Sequence, residues 1–112
     1  MNIIQYRYSS VAWGPHVNEL YVFHLEEKVY MHYDHGVCDV RFQLPDDLVE
    51  TIRDYFEPIY REFPSDKNAF DAPTWTLTID DKTCTGIAVE DWDPAYARIA
   101  RFFNIFKNIK NK

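Results

Sequence analysis

The chain has 112 residues, 46% of them hydrophobic and 17% aromatic, which suits one core and is too little for two, so we read a single domain over 1–112. All 18 Asp and Glu residues lie between Glu19 and Asp93, whereas Arg98, Arg101, Lys107, Lys110 and Lys112 follow with no acid among them. Seven bases against those 18 acids put residues 1–97 at −11 and leave residues 98–112 at +5, a balance that disfavours nucleic acid as a partner and favours a basic protein surface.

The apolar runs are short and interrupted by charge, and Met1–Arg7 shows no basic region leading into a long apolar stretch. No membrane association is expected, and the chain reads as cytoplasmic. Cys38 and Cys84 lie far apart with small or apolar neighbours, which predicts two buried thiols rather than a disulfide.

In chain order, Ile4, Tyr6 and Tyr8 share one face of a first strand, and Ser9 to His16 form a loop around Trp13, Gly14 and Pro15. Glu19–Leu25 and Val29–Tyr33 then make a hairpin about Glu26, Glu27 and Lys28. The register that keeps the large apolar residues together sets Leu25 opposite Val29, Phe23 opposite Met31 and Tyr21 opposite Tyr33. It leaves Leu20, Val22, His24, Tyr30, His32 and Asp34 on the opposite face. After a turn at Asp34, His35 and Gly36, a fourth strand alternates with Cys38, Val40, Phe42 and Leu44 inward.

Pro45 starts a helix whose first turn holds Asp46 and Asp47, favourable at the positive end of the dipole. Leu48, Ile52, Tyr55, Phe56, Ile59 and Phe63 form its apolar stripe, Pro58 predicts a kink or break, and Pro64 an end. Residues 65–73 make a polar connection. Thr74–Ile79 and Thr83–Val89 form a second hairpin turning at Asp80, Asp81 and Lys82. A short loop would set Trp75 opposite Ala88; a longer one would bring Ile87 and Val89 to the facing positions. Asp93 and Pro94 cap and start a last helix along Tyr96, Ile99, Phe102, Phe103, Phe106 and Ile109. The fold class is therefore α+β, an antiparallel sheet of order β-β-β-β-α-β-β-α with two helices packed on one face and the other face open.

The segment Asp71, Ala72, Pro73, Thr74, Trp75, Thr76, Leu77, Thr78 and Ile79, followed by Gly86 and by Pro94 opening an apolar helix, resembles the ending of small bacterial α+β proteins of the toxin-immunity type. The resemblance covers about a third of the chain and implies a small acidic protein that neutralises a toxin. It transfers no catalytic or binding residue.

For chemistry, His24, His32 and Asp34 share a face in the expected register, and two imidazoles with a carboxylate would suffice for a divalent metal. Exposed His and Asp need no ligand, however, and no local motif backs the site, so no metal and no cofactor are expected and a metal-dependent enzyme ranks third. Cys38, read as inward, lacks a neighbouring base, and Gly14, Gly36 and Gly86 are isolated, so no catalytic residue is assigned. Trp13 and Trp92 sit in polar loops, as interface anchors often do. The leading expectation is a non-catalytic inhibitor or immunity protein that binds a basic partner, such as a toxin domain, through Trp13, His24, His32, Asp34, Asp80, Asp81, Asp91 and Trp92. The rival is an interaction or structural protein that dimerises through the open sheet face.

Overall fold

Period-two alternation in six segments and period-3.6 stripes in two others build one sheet and two helices. A computed structural model describes residues 1–10, 16–68 and 71–110, with side chains as far as Phe106. Strands β1 (Ile3–Ser10), β2 (Val17–His24), β3 (Val29–Asp34) and β4 (Val37–Gln43) precede helix α1 (Asp46–Arg61); β5 (Thr74–Ile79), β6 (Lys82–Ile87) and helix α2 (Pro94–Lys110) follow. The six strands form one antiparallel sheet of order β4-β3-β2-β1-β5-β6, so the expected α+β architecture is the one observed.

Both helices cover the same face. Phe103 of α2 stacks on Tyr6 at 4.6 Å and meets Tyr21 at 4.8 Å, and Phe106 meets Tyr30 edge-on at 4.6 Å. Phe56 of α1 meets Phe102 of α2 at 4.9 Å and joins the helices. Val49, Ile52, Phe56 and Ile59 are the buried residues of α1. The helix runs through Pro58 without a break, because Pro58 falls in the last turn and its missing N–H removes a single bond. It ends at Arg61, ahead of Pro64, with Glu62 N–H donating to the Pro58 carbonyl at 3.0 Å. No helix among the described residues is long and apolar enough to cross a membrane.

Three registers differ from the sequence expectation. In the β2–β3 hairpin Tyr21 faces His32 and Phe23 faces Tyr30, one residue away from the predicted pairing. The connection takes four residues, with Lys28 at φ 59°, while Leu25 N–H leaves the ladder to donate to the Asn2 carbonyl at 2.8 Å. This shift carries the Tyr30 ring into the core and turns Met31 outward. His24 and His32 consequently lie on opposite faces, and the predicted His24–His32–Asp34 face does not exist.

In β4 the pairing shifts between His32 and Tyr33, with Asp39 as the extra residue. The bulge reverses the alternation, so Val40 and Phe42 face the core while Cys38 is exposed rather than inward. Cys84 alone is the buried thiol, and burial pushes its pKa up to about 11. Both cysteines are free.

In the β5–β6 hairpin Trp75 faces Gly86, Leu77 faces Cys84 and Ile79 faces Lys82, across a two-residue Asp80-Asp81 loop, as long as the shorter of the two expected but set one residue earlier. Gly86 decides this: a Cβ there would collide with the Trp75 indole and the Asp93 carboxylate. Trp75 Nε1–H and Ile87 N–H both donate to Asp93 Oδ2 at 3.1 Å, and Ala95 N–H donates to Oδ1 at 3.1 Å, which caps α2 as predicted.

Asp80 takes the left-handed conformation at φ 51°, and its carboxylate accepts from Asn2 N–H and Ile3 N–H at 2.9 Å each, with the Met1 amino group at 3.4 Å. Partial burial alone would raise its pKa, but these donors outweigh that and hold it below the ordinary carboxylate value. A carboxylate with a lowered folded pKa contributes stability above the unfolded pKa of about 4, and that contribution fades as pH falls through the folded pKa. Asp80→Asn is therefore expected to lower the urea midpoint at pH 7 and to converge with the parent near pH 2. A constant difference at both pH values would remove this account.

Candidate functional site

The registers sort the predicted site residues into two distant groups. Ser10 pairs with Val17, and Asp34 pairs with Val37, so the β1–β2 and β3–β4 connections lie at one end of the sheet. Thr74 pairs with both Ser9 and Ile87, which brings the segment after β6, with Asp91 and Trp92, to that same end. His32 and Asp34 belong there as well. Ile3 pairs with His24, and Asp80 N–H donates to the Ile3 carbonyl, so His24, Asp80 and Asp81 occupy the opposite end. Trp13 lies outside the described residues.

Trp92 is 53% exposed and protrudes before the N-terminus of α2. Asp34 is exposed and engages His35 Nδ1 at 2.7 Å, in the turn where His35 takes φ 50°. His32 is half-buried on the helix side and packs against Tyr21 at 4.8 Å with the rings tilted by 51°. Its Nδ1–H donates to Asp39 at 2.6 Å, and Nε2 faces Glu19 Oε1 at 3.5 Å. The β4 bulge turns Asp39 toward this ring, and the β2–β3 register sets Glu19 opposite Asp34 on the covered side.

Glu19 leads into a recess that sequence reasoning missed. About 180 Å³ in volume, it lies between β1, β2 and α2 and is lined by Tyr6, Tyr8, Glu19, Tyr21, Tyr96, Ala100, Phe103 and Asn104. Tyr21 O–H donates to Glu19 Oε2 at 3.1 Å. Burial, and for Tyr21 the adjacent Glu19 charge, raise the phenol pKa values of Tyr6 and Tyr21, and burial does the same for Tyr96. The phenols therefore stay protonated, and the recess presents neutral aromatic walls and one carboxylate. The available signal was the placement of Tyr6 and Tyr8 two apart on the inward face of β1, with Glu19 on the face of Tyr21 in β2 and Tyr96 at the start of α2; the misplaced hairpin register hid His32 from it.

A wider depression of about 330 Å³ between α1 and α2 is walled by Pro58, Arg61, Glu62 and Arg98. Its two guanidinium groups against one carboxylate give it no complementarity to a cation. Among the described residues no group of three or more His, Cys, Asp or Glu is arranged to hold a metal ion.

The open sheet face differs from the rest of the surface. Gln5 and Arg7, Leu20 and Val22, Met31 and Tyr33, Arg41, and Thr76, Thr78, Thr83 and Thr85 point that way by pairing. Among the described strand residues the carboxylates, Glu19, Asp34 and Asp39, all fall elsewhere. Of the three residues expected together on this face, His24 remains on it, while His32 and Asp34 lie on the helix side.

Fold and recess together define an α+β protein with an acidic, aromatic end. Comparison with family models, curated proteins and solved structures gives no match. Trp75, Gly86 and Pro94, which carry the resemblance to immunity-type proteins, meet at the capped start of α2, where their work is packing and capping.

Proposed function

We propose that this chain is an acidic binding protein of the immunity or inhibitor type, which occludes a basic protein partner with the end of the sheet that carries Trp92. The observation behind this reading is that an exposed indole, Asp34, Asp39, Glu90 and Asp91 share one end of the sheet with the aromatic recess that Glu19 lines. Carboxylates at a rim steer association, and a large aromatic residue supplies contact area.

The test is binding kinetics on a partner captured from the native cell. Charge reversal at Asp34 or Asp91 is expected to slow association and flatten its dependence on ionic strength, while reversal at Asp81, at the far end, leaves both unchanged. Trp92→Ala is expected to speed dissociation and cost at least ~2 kcal/mol of affinity, measured at a temperature where the variant is fully folded. Equal effects at the two ends, or indifference to salt, would reject the assignment.

The acid-free sheet face favours a second reading, in which two copies meet through the partly exposed Leu20, Met31 and Tyr33. Sedimentation equilibrium distinguishes them: a dimer disrupted by Met31→Lys supports this face, and a monomer at high concentration rejects it.

A further inference from the structure

We infer that the recess between β1, β2 and α2 accepts one arginine side chain of the partner, with Glu19 as the residue that pairs with its guanidinium. The inference rests on the reading above and deepens it, because it names the group the acidic end recognises.

Size comes first. At about 180 Å³ the recess is somewhat larger than an engineered ~150 Å³ cavity that admits benzene, and well below the ~300–1,000 Å³ of pockets that enclose whole small ligands. It holds one side chain and leaves no room for a nucleotide or a cofactor.

The lining sets the chemistry. Tyr6, Phe103 and Tyr21 pack on one another as a buried aromatic floor, and the partly exposed rings of Tyr8 and Tyr96 complete a wall that can attract a cation. Glu19 spends one acceptor position of Oε2 on the Tyr21 hydroxyl and turns Oε1 toward His32 Nε2. Each carboxylate oxygen has two acceptor positions, so both keep one for a bidentate donor. Asn104 adds an amide at the rim. A planar, weakly hydrated guanidinium meets these demands better than an ammonium, since it stacks on rings and forks onto a carboxylate. The Tyr21 O–H bond orients the Glu19 carboxylate before any ligand arrives, and His32, its ring fixed by the 2.6 Å bond to Asp39, stands behind it.

The test titrates the whole chain with N-acetyl-arginine methylamide while amide and tyrosine-ring NMR shifts are followed. Saturable shifts confined to Tyr6, Tyr8, Glu19, Tyr21 and Tyr96 are expected, with millimolar dissociation. The uncharged citrulline analogue should give none, the lysine analogue weaker ones, and Glu19→Gln or Tyr8→Leu should weaken binding about tenfold with thermal melts near the parent value. Equal binding of arginine and citrulline analogues, or shifts dispersed over the surface, overturns the inference. Agmatine binding more tightly than the blocked residue overturns the assignment to a polypeptide side chain. If the salt and charge-reversal tests on the partner succeed while the arginine probe fails, the recess is wrong and the acidic binding reading survives; a bound probe without any basic partner fails that reading and keeps the cation site.

Discussion

Asp93→Ala is expected to remove about 3–5 kcal/mol of stability, more than any other surface-proximal carboxylate in the chain. Asp93 is 1% exposed, and its two oxygens serve three donors from three elements: Trp75 Nε1–H, Ile87 N–H and Ala95 N–H. Alanine deletes the helix cap, worth about 1 kcal/mol, and strands two buried donors at about 1–3 kcal/mol each, partly offset because a desolvated carboxylate also disappears. Asp93→Asn should fall between, since one amide oxygen cannot serve both the α2 cap and the indole. Gly86→Ala attacks the same joint sterically and should cost about 1–3 kcal/mol as overpacking. Urea melts of Trp75→Phe, Asp93→Ala and the double variant close the test. Additivity within about 0.5 kcal/mol would mean that the indole and the carboxylate are not coupled.

Phe23→Ala is expected to cost about 3–5 kcal/mol, because Phe23 is fully buried and its ring touches Tyr30, Phe102, Phe103 and Phe106. The two histidines of the same hairpin should separate. His24, on the open face, should tolerate alanine within about 0.5 kcal/mol. His32→Ala should cost about 1–2 kcal/mol, since it removes a ring packed against Tyr21 and leaves Glu19 and Asp39 without the imidazole between them. Equal, small losses at both histidines would restore the register read from parity and reject the observed pairing.

The aromatic recess was hidden in the sequence for one reason: β-strand parity fixes which residues alternate, and the connection between strands fixes which of them face each other. Tyr21 and Phe23 were legible as core residues, yet His32 could not be placed beside Tyr21 until the four-residue turn with Lys28 at φ 59° was known. Trp92 was legible as a loop residue, but its exposure depends on how the chain packs before α2.

By itself the sequence determined the element order, the α+β class, the apolar stripes of both helices and the Asp93-Pro94 start of α2, because periodicity, capping and proline chemistry act over a few neighbouring residues. Only the tertiary structure decided the three hairpin registers, the bulge that exposes Cys38, and the meeting of Glu19, His32 and Asp39 beside the tyrosines. Those outcomes turn on contacts between distant residues, such as Asp93 with Trp75 and Tyr30 with Phe106, and a shift of one position reverses the face of every side chain in a strand.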